Sequence, residues 1–206
     1  MTGYSIIIPV KEINDYLRES IPHLLALDYL DYEVLILPNE EPSPLESAFV
    51  DERVKIIASG AVSPAVKRDM GAEQAKFEYL AFLDDDAYPT LEWLKVAEKT
   101  FAEKKVAALG GPGMVPPDAS KKEVVFGIFY ETLVGGGGLA YRYRPVPEGF
   151  YVKDYPSVNL IIRKDAFMEI GGFDNAFWPG EDTKLCLDLI QAGHEIWYEP
   201  TLLVYH

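Results

Sequence analysis

Three consecutive carboxylates, Asp84, Asp85 and Asp86, close the apolar run Leu80-Ala81-Phe82-Leu83. Adjacent carboxylates repel one another and resist joint ionisation unless a cation lies among them. Oxygen donors crowded on one short loop suit Mg2+ or Mn2+ rather than zinc. A second acidic pair, Glu181 and Asp182, stands after Pro179-Gly180 at what reads as a helix start, where the helix dipole favours negative charge in any case. Lys67 and Arg68 are among the few basic residues near an expected strand end, and His206 is one of three histidines. The blander readings are a solvated acidic turn, a dipole-matched helix terminus and a structural histidine.

Chemistry at these positions depends on the elements that carry them. Short β-branched runs at Tyr4–Val10, Tyr32–Leu37, Val54–Ala58, Tyr79–Leu83 and Val106–Leu109 read as strands. Between them lie amphipathic segments: Asp15–Leu27, a helix opened by Ser63-Pro64 and running to Ala75, and Leu91–Lys104. Strands alternating with helices of this length predict βαβ units, hence an α/β chain with a mainly parallel central sheet and helices on both faces. Ligands of open parallel sheets bind outside the carboxyl ends of the strands, and Asp84–Asp86 sits at such an end. Beyond Gly110 the pattern loosens. Val124–Val134 is apolar and fits either helix or strand, and Gly135–Gly138 with Tyr141, Arg142 and Arg144 reads as a loop able to close over a site. Val158–Arg163, Ile196–Tyr198 and Leu202–Tyr205 read as strands and Glu181–Ala192 as a helix.

The chain has 206 residues, enough for one domain with a proper core. With 33 Asp and Glu against 19 Lys and Arg, its formal net charge is −14. Such acidity argues against nucleic acid as a partner. A phosphate-bearing ligand needs a local basic group, a helix N-terminus or a metal ion. The single cysteine, Cys186, rules out a disulfide framework, and no run approaches the length of a membrane span. A cytoplasmic setting is expected, with peripheral association at the inner face of a membrane compatible with it. The apolar ending Leu202-Leu203-Val204-Tyr205-His206 fits a chain that stops there and one that continues equally well.

Taken in order, these blocks resemble glycosyltransferase family 2, the inverting GT-A enzymes. Ser5-Ile6-Ile7-Ile8-Pro9 is similar to the family's first strand, and Lys67-Arg68-Asp69-Met70-Gly71 to its Ala-Arg-Asn-x-Gly segment. Asp84-Asp85-Asp86 resembles the Asp-x-Asp motif. Val158–Arg163 with Ile170-Gly171-Gly172-Phe173-Asp174 resembles the acceptor-side block. Gly180-Glu181-Asp182 resembles the Glu-Asp motif, and Tyr205-His206 the closing Tyr-His. An Asp-x-Asp alone is a weak signal; ordered blocks at compatible spacing are a strong one.

The resemblance implies a single GT-A domain over 1–206, its 1–110 half binding a nucleotide-sugar donor and its 111–206 half the acceptor. It implies Mn2+ or Mg2+ on Asp86 and Asp84, with His206 completing the shell. Donor contacts would come from Pro9, Lys11, Glu12, Asn39, Lys67, Arg68, Asp84 and Asp85. Asp182 would deprotonate the acceptor hydroxyl, with Glu181 beside it, and Trp178, Asn159 and Gly180 would face the acceptor, a glycan or lipid-linked saccharide. Trp178 offers an indole face on which a sugar can stack.

One block departs from the family pattern. Where the family commonly shows Asp-Asp-Gly-Ser after the second strand, this chain has Leu37-Pro38-Asn39-Glu40, which weakens the case for uracil; a UDP-sugar is favoured by family frequency only. Two other readings fit parts of the chain. A haloacid-dehalogenase-type phosphotransferase also ends a strand with Asp-x-Asp, though usually the first strand rather than the fourth. A non-catalytic GT-A-like module that binds a sugar or a protein partner would not need Asp84, Asp86 and Asp182 together.

Overall fold

The computed structural model describes residues 2–177 and 179–206. The run Ile6-Ile7-Ile8 lies in β1 (Tyr4–Pro9), all of whose residues are buried. It pairs in parallel with β2 (Tyr32–Leu37) on one side and β4 (Tyr79–Leu83) on the other, and β2 pairs with β3 (Val54–Ile56). Side chains alternate between the faces of a strand. Ile6 and Ile8 therefore enter one core, with Leu17 and Leu24 of α1 (Asp15–Leu25) and Trp93 of α3 (Trp93–Glu103). Ile7 enters the other, with Ala65 and Ala72 of α2 (Pro64–Gln74), Phe167 of α5 (Lys164–Glu169) and Leu185 of α6 (Glu181–Gln191). Two apolar layers on one sheet give the expected α/β architecture.

The far half of the sheet is mixed. β9 (Asn159–Arg163) runs antiparallel between β4 and β6 (Ala108–Gly110), because a long excursion rather than a helical crossover connects β6 to it. β10 (Ile196–Tyr198) is parallel to β6, and β8 (Phe150–Val152) closes the edge antiparallel. The order is β3-β2-β1-β4-β9-β6-β10-β8. A second sheet, not foreseen as such, joins β5 (Tyr88–Pro89), β11 (Val204–Tyr205) and β7 (Gly113–Met114) in the order β5-β11-β7.

The apolar segment after β7 folds as α4 (Lys121–Tyr130), opened by a Ser120–Glu123 capping box. The glycine-rich stretch continues as a 3-10 turn, Gly137–Arg142. Tyr141 packs edge-on against Tyr198 and Phe150, and Arg142 pairs with Asp154 at 2.9 Å. This stretch therefore lies folded back on β8 and β10, with its arginine already paired, rather than poised to close over the acidic triplet.

The helix that matters most to the site is α2. Ser63 caps it by accepting from the Val66 N–H, and Pro64 occupies its first turn. It lies so close to β1 that a Cβ on Gly71 would come within 2.6 Å of Ile7 Cγ2. Gly71→Val should therefore lower stability by about 1–3 kcal/mol, the usual range for overpacking, read as a fall in the urea midpoint at unchanged slope. An unchanged midpoint would mean that α2 can stand off from the sheet.

Candidate active site

The turn after β4 presents the triplet, and its three side chains diverge. Asp84, half-buried, accepts from Arg68 Nη2 at 2.7 Å. Asp85 turns away and accepts from Asn14 Nδ2, the same side chain whose Oδ1 caps α1. Its carboxyl is raised above the usual aspartate range by burial. Asp85 therefore ties the triplet to the 10–14 loop instead of facing a donor. Asp86 meets His206 at 3.4 Å. That hydrogen bond holds the Asp86 carboxyl below its ordinary range and raises the imidazole, against the opposing effect of burial.

The small sheet is what brings His206 across the chain. β11 pairs antiparallel with β5 in the register Tyr205↔Tyr88 and parallel with β7 in the register Tyr205↔Met114, and the His206 N–H donates to Met114 O at 2.9 Å. Asp84, Asp86 and His206 then each offer one donor atom, all within 4.8 Å of one another. Two carboxylate oxygens and one imidazole nitrogen suit Mn2+ well and Mg2+ acceptably, while leaving further positions for phosphate oxygens or water.

Arg68 joins this set to the second acidic pair. Its side chain is buried, lies 2.7 Å from Asp84 and 3.7 Å from Glu181, and sits over the Phe173 ring at 5.6 Å. Two of its nitrogens, Nε and Nη1, are buried without a hydrogen-bond partner. Gly180, at φ +124°, occupies the left-handed region that favours glycine and starts α6; its N–H donates to Glu181 Oε2 at 3.0 Å. Asp182 follows. Burial raises its carboxyl, while Arg68 and hydrogen bonds from the Ser157 hydroxyl and N–H lower it, and the net shift is upward. Its Oδ1 is buried with no hydrogen-bond partner. Asp69, pushed up to about 6 by burial, accepts from the Phe173 N–H at 2.9 Å and so fixes the turn before α6.

At the ends of β1 and β2, Lys11, Glu12 and Asn39 rim a recess of about 340 Å3. Lys67 does not face it as a free cation. Its buried ammonium donates to Val10 O at 2.5 Å, Leu37 O at 3.2 Å and Asn39 Oδ1 at 2.6 Å, which uses all three of its protons. Pro9 is buried at the end of β1, in register with Leu37.

Asn159, expected to face the acceptor, is instead wholly buried. Its amide donates to Gly111 O and Leu202 O, both at 2.7 Å, and its oxygen accepts from Trp93 Nε1 at 3.0 Å. It binds α3 to the segment that delivers His206. Trp178 lies outside the described residues. Sequence reasoning missed Asn14 and Ser157; Asn14 has the signature of a helix cap, whereas nothing in the sequence ties Ser157 to residue 182.

A mainly parallel sheet with acidic, metal-capable groups at its strand ends is the GT-A kind of fold. A family-wide sequence profile, Glycosyl transferase family 2, matches residues 5–171. The chain belongs to that family. It is 31% identical over 206 residues to a pre-mycofactocin glycosyltransferase of Mycobacterium tuberculosis, covering 98% of this chain and 42% of that protein. Its fold matches S. aureus TarS 1–349 in complex with UDP-GlcNAc at a TM-score of 0.69, with 17% identity over 100% of this chain and 58% of that one. It also matches the mannosyltransferase PcManGT of Pyrobaculum calidifontis, in complex with GDP-Man and Mn2+, at 0.70, with 14% identity over 98% and 56%. The chain thus spans less than two thirds of each of these proteins.

Replacing Asn159 with Ala orphans the Trp93 N–H and two buried carbonyls. This should cost at least about 3 kcal/mol, since each of the three buried groups left unpaired costs roughly 1–3. Thermal unfolding at fixed pH reads it; a loss of transfer with full stability would instead return Asn159 to the acceptor side.

Proposed function

We propose that this protein transfers a sugar from a nucleotide-sugar donor, UDP-sugars first, to a hydroxyl of a glycan or lipid-linked saccharide, with inversion at the anomeric carbon. The observation that carries this reading is the convergence, through Arg68, of the Asp84–Asp86–His206 set and the Glu181–Asp182 pair. The TarS complex with UDP-GlcNAc and the PcManGT complex with GDP-Man and Mn2+ support the donor class and the metal.

In this reading the nucleoside lies in the recess between Lys11, Glu12 and Asn39, with the Asn39 oxygen held by Lys67. The diphosphate lies at Asp84, Asp86 and His206. A divalent cation held there would supply charge neutralisation for the leaving diphosphate. Inversion requires one in-line attack, so a single carboxylate suffices to take the acceptor proton. Asp182 is that base, with an unpartnered oxygen and a burial that strengthens its basicity. Glu181 is bound to Arg68 and to the Gly180 N–H, and so orients the helix start. Among the described residues no helix is long and apolar enough to cross a membrane. We place the protein in the cytoplasm or at the inner membrane face, where such donors are met.

Donor hydrolysis across UDP-, GDP- and dTDP-sugars with Mn2+ identifies the donor. Mn2+ plus the matching nucleoside diphosphate should raise the melting temperature, and Asp86→Ala should abolish that rise; no rise with any nucleotide at millimolar concentration rejects the reading.

Asp182→Asn should preserve the nucleotide-dependent rise while lowering transfer about 1,000-fold. In the parent protein the base works only when deprotonated, and its pKa is raised. Transfer should therefore be full above that pKa and fall as pH drops through it, at a pH above the ordinary aspartate value of about 3.9. Near-normal turnover in the variant, or an acid limb that survives in it, assigns the proton transfer elsewhere.

A further inference from the structure

Beside the metal-capable set lies a cavity of about 690 Å3 that none of the assigned residues except Asp86 and His206 explains. Those two form one end of it. Its walls include Tyr88, Phe126, Tyr130 and Tyr143, and the Tyr130 and Tyr143 rings stack at 5.2 Å between centroids. Phe126 and Tyr130 belong to α4, a helix with no buried residue; Phe126 is 65% exposed. The remaining charged groups at its edge are Glu19, Asp118 and Glu123, and among the described lining residues none is Lys or Arg.

Size, ring-lined walls and a few polar groups at one end are the attributes of a small-molecule site. The charge is selective. Away from the Asp86–His206 end, a phosphate-bearing group placed among Glu19, Asp118 and Glu123, with no Lys or Arg on the walls, would be repelled, whereas an uncharged or cationic group would not. In the reading above, moreover, the donor nucleoside takes the separate recess at the β1 and β2 ends.

We propose that this cavity receives the acceptor, and that the portion next to the reacting hydroxyl is uncharged or cationic and carries an apolar ring. The inference rests on the glycosyl-transfer reading and narrows it: the phosphate of a lipid-linked acceptor must stay outside the cavity. The acceptor oxygen forms the bond to the anomeric carbon as the bond from that carbon to the diphosphate breaks. In the glycosyl-transfer reading the hydroxyl, at the Asp86–His206 end, passes its proton to Asp182, which is not itself among the cavity's lining residues, and the electron pair leaves with the diphosphate. Ring stacking on Tyr130 and Phe126 supplies binding that a bare sugar lacks.

The test uses the protein with Mn2+ and whichever UDP-, GDP- or dTDP-sugar it hydrolyses. Acceptors are the 4-nitrophenyl glucoside, galactoside and mannoside, the methyl glycosides of the same sugars, and 4-nitrophenyl 6-phosphoglucoside. For at least one sugar, KM for the nitrophenyl acceptor should lie at least ten-fold below that for its methyl counterpart, and the 6-phosphate should raise it. The double variant Phe126→Ala/Tyr130→Ala should bring the nitrophenyl KM up to the methyl value with little change in kcat. Leu30→Ala, a distant exposed apolar residue, should not. Equal KM values for nitrophenyl and methyl acceptors, preference for the phosphorylated one, or a wall variant without effect would each overturn the proposal. Hydrolysis of no donor at all would bring down the glycosyl-transfer reading with it; hydrolysis without ring preference would bring down this proposal alone.

Discussion

The site is organised by one buried guanidinium. Arg68 lies between the half-buried Asp84 at 2.7 Å and the buried Glu181 at 3.7 Å, so one cation compensates both acids. Removing a charge from water costs several kcal/mol, and the remaining partner of a broken buried pair bears that cost uncompensated. Arginine suits the position because its planar fork can address two carboxylates and still lie against the Phe173 ring. The neighbours of Arg68 extend this role. Successive helix residues point about 100° apart, so Lys67, Arg68 and Asp69 reach three different places. Lys67 clamps the ends of β1 and β2, Arg68 joins the end of β4 to the start of α6, and Asp69 holds the turn at Phe173. The approach of Gly71 to Ile7 sets how close that helix comes.

This arrangement changes what the acidity of the chain means. The two basic residues that sequence proximity offered for a phosphate, Lys67 and Arg68, are both buried and already paired. Lys11 remains exposed at the recess, but among the described residues lining the cavity none is Lys or Arg. In the proposed reading, a nucleoside diphosphate at a protein of net charge −14 would be helped by positive charge that travels with the ligand. A donor set of two carboxylates and an imidazole fits that requirement.

Much of the frame was legible because local signals agreed with the global one. The alternation of Ile6, Ile7 and Ile8 between two cores, the Ser63-Pro64 helix start and the acidic triplet at the end of β4 each follow from periodicity or capping. Pairings between distant segments were not legible. His206 beside Asp86 was expected only through the family resemblance, not from local pattern; it arrives there because β11, two residues long, docks between β5 and β7. Asn159 was misread for the same reason: a polar residue at the start of an apolar strand looks available for a ligand, and only the fold reveals Trp93, Gly111 and Leu202 around it. Asp85 was misassigned because a triplet in sequence does not tell which carboxylates share a direction. The antiparallel entry of β9 escaped because strand direction is not written in hydrophobic pattern, which is near-continuous for any strand covered on both faces.

Glu181 and Asp182 show how adjacent identical charges acquire different work. Both sit in the first turn of α6, where the helix dipole favours them alike. Glu181 is buried, faces Arg68 and receives the Gly180 N–H, so its charge is compensated from two sides. Asp182 keeps one oxygen buried and unpartnered. For that carboxylate burial outweighs Arg68 and the two Ser157 hydrogen bonds, so its proton affinity rises. In the proposed role of general base, Asp182 would gain from that shift only while it remains ionised at working pH, and Arg68 and Ser157 act in the direction that keeps it so. The guanidinium that holds the two halves of the site together therefore also limits how basic Asp182 can become.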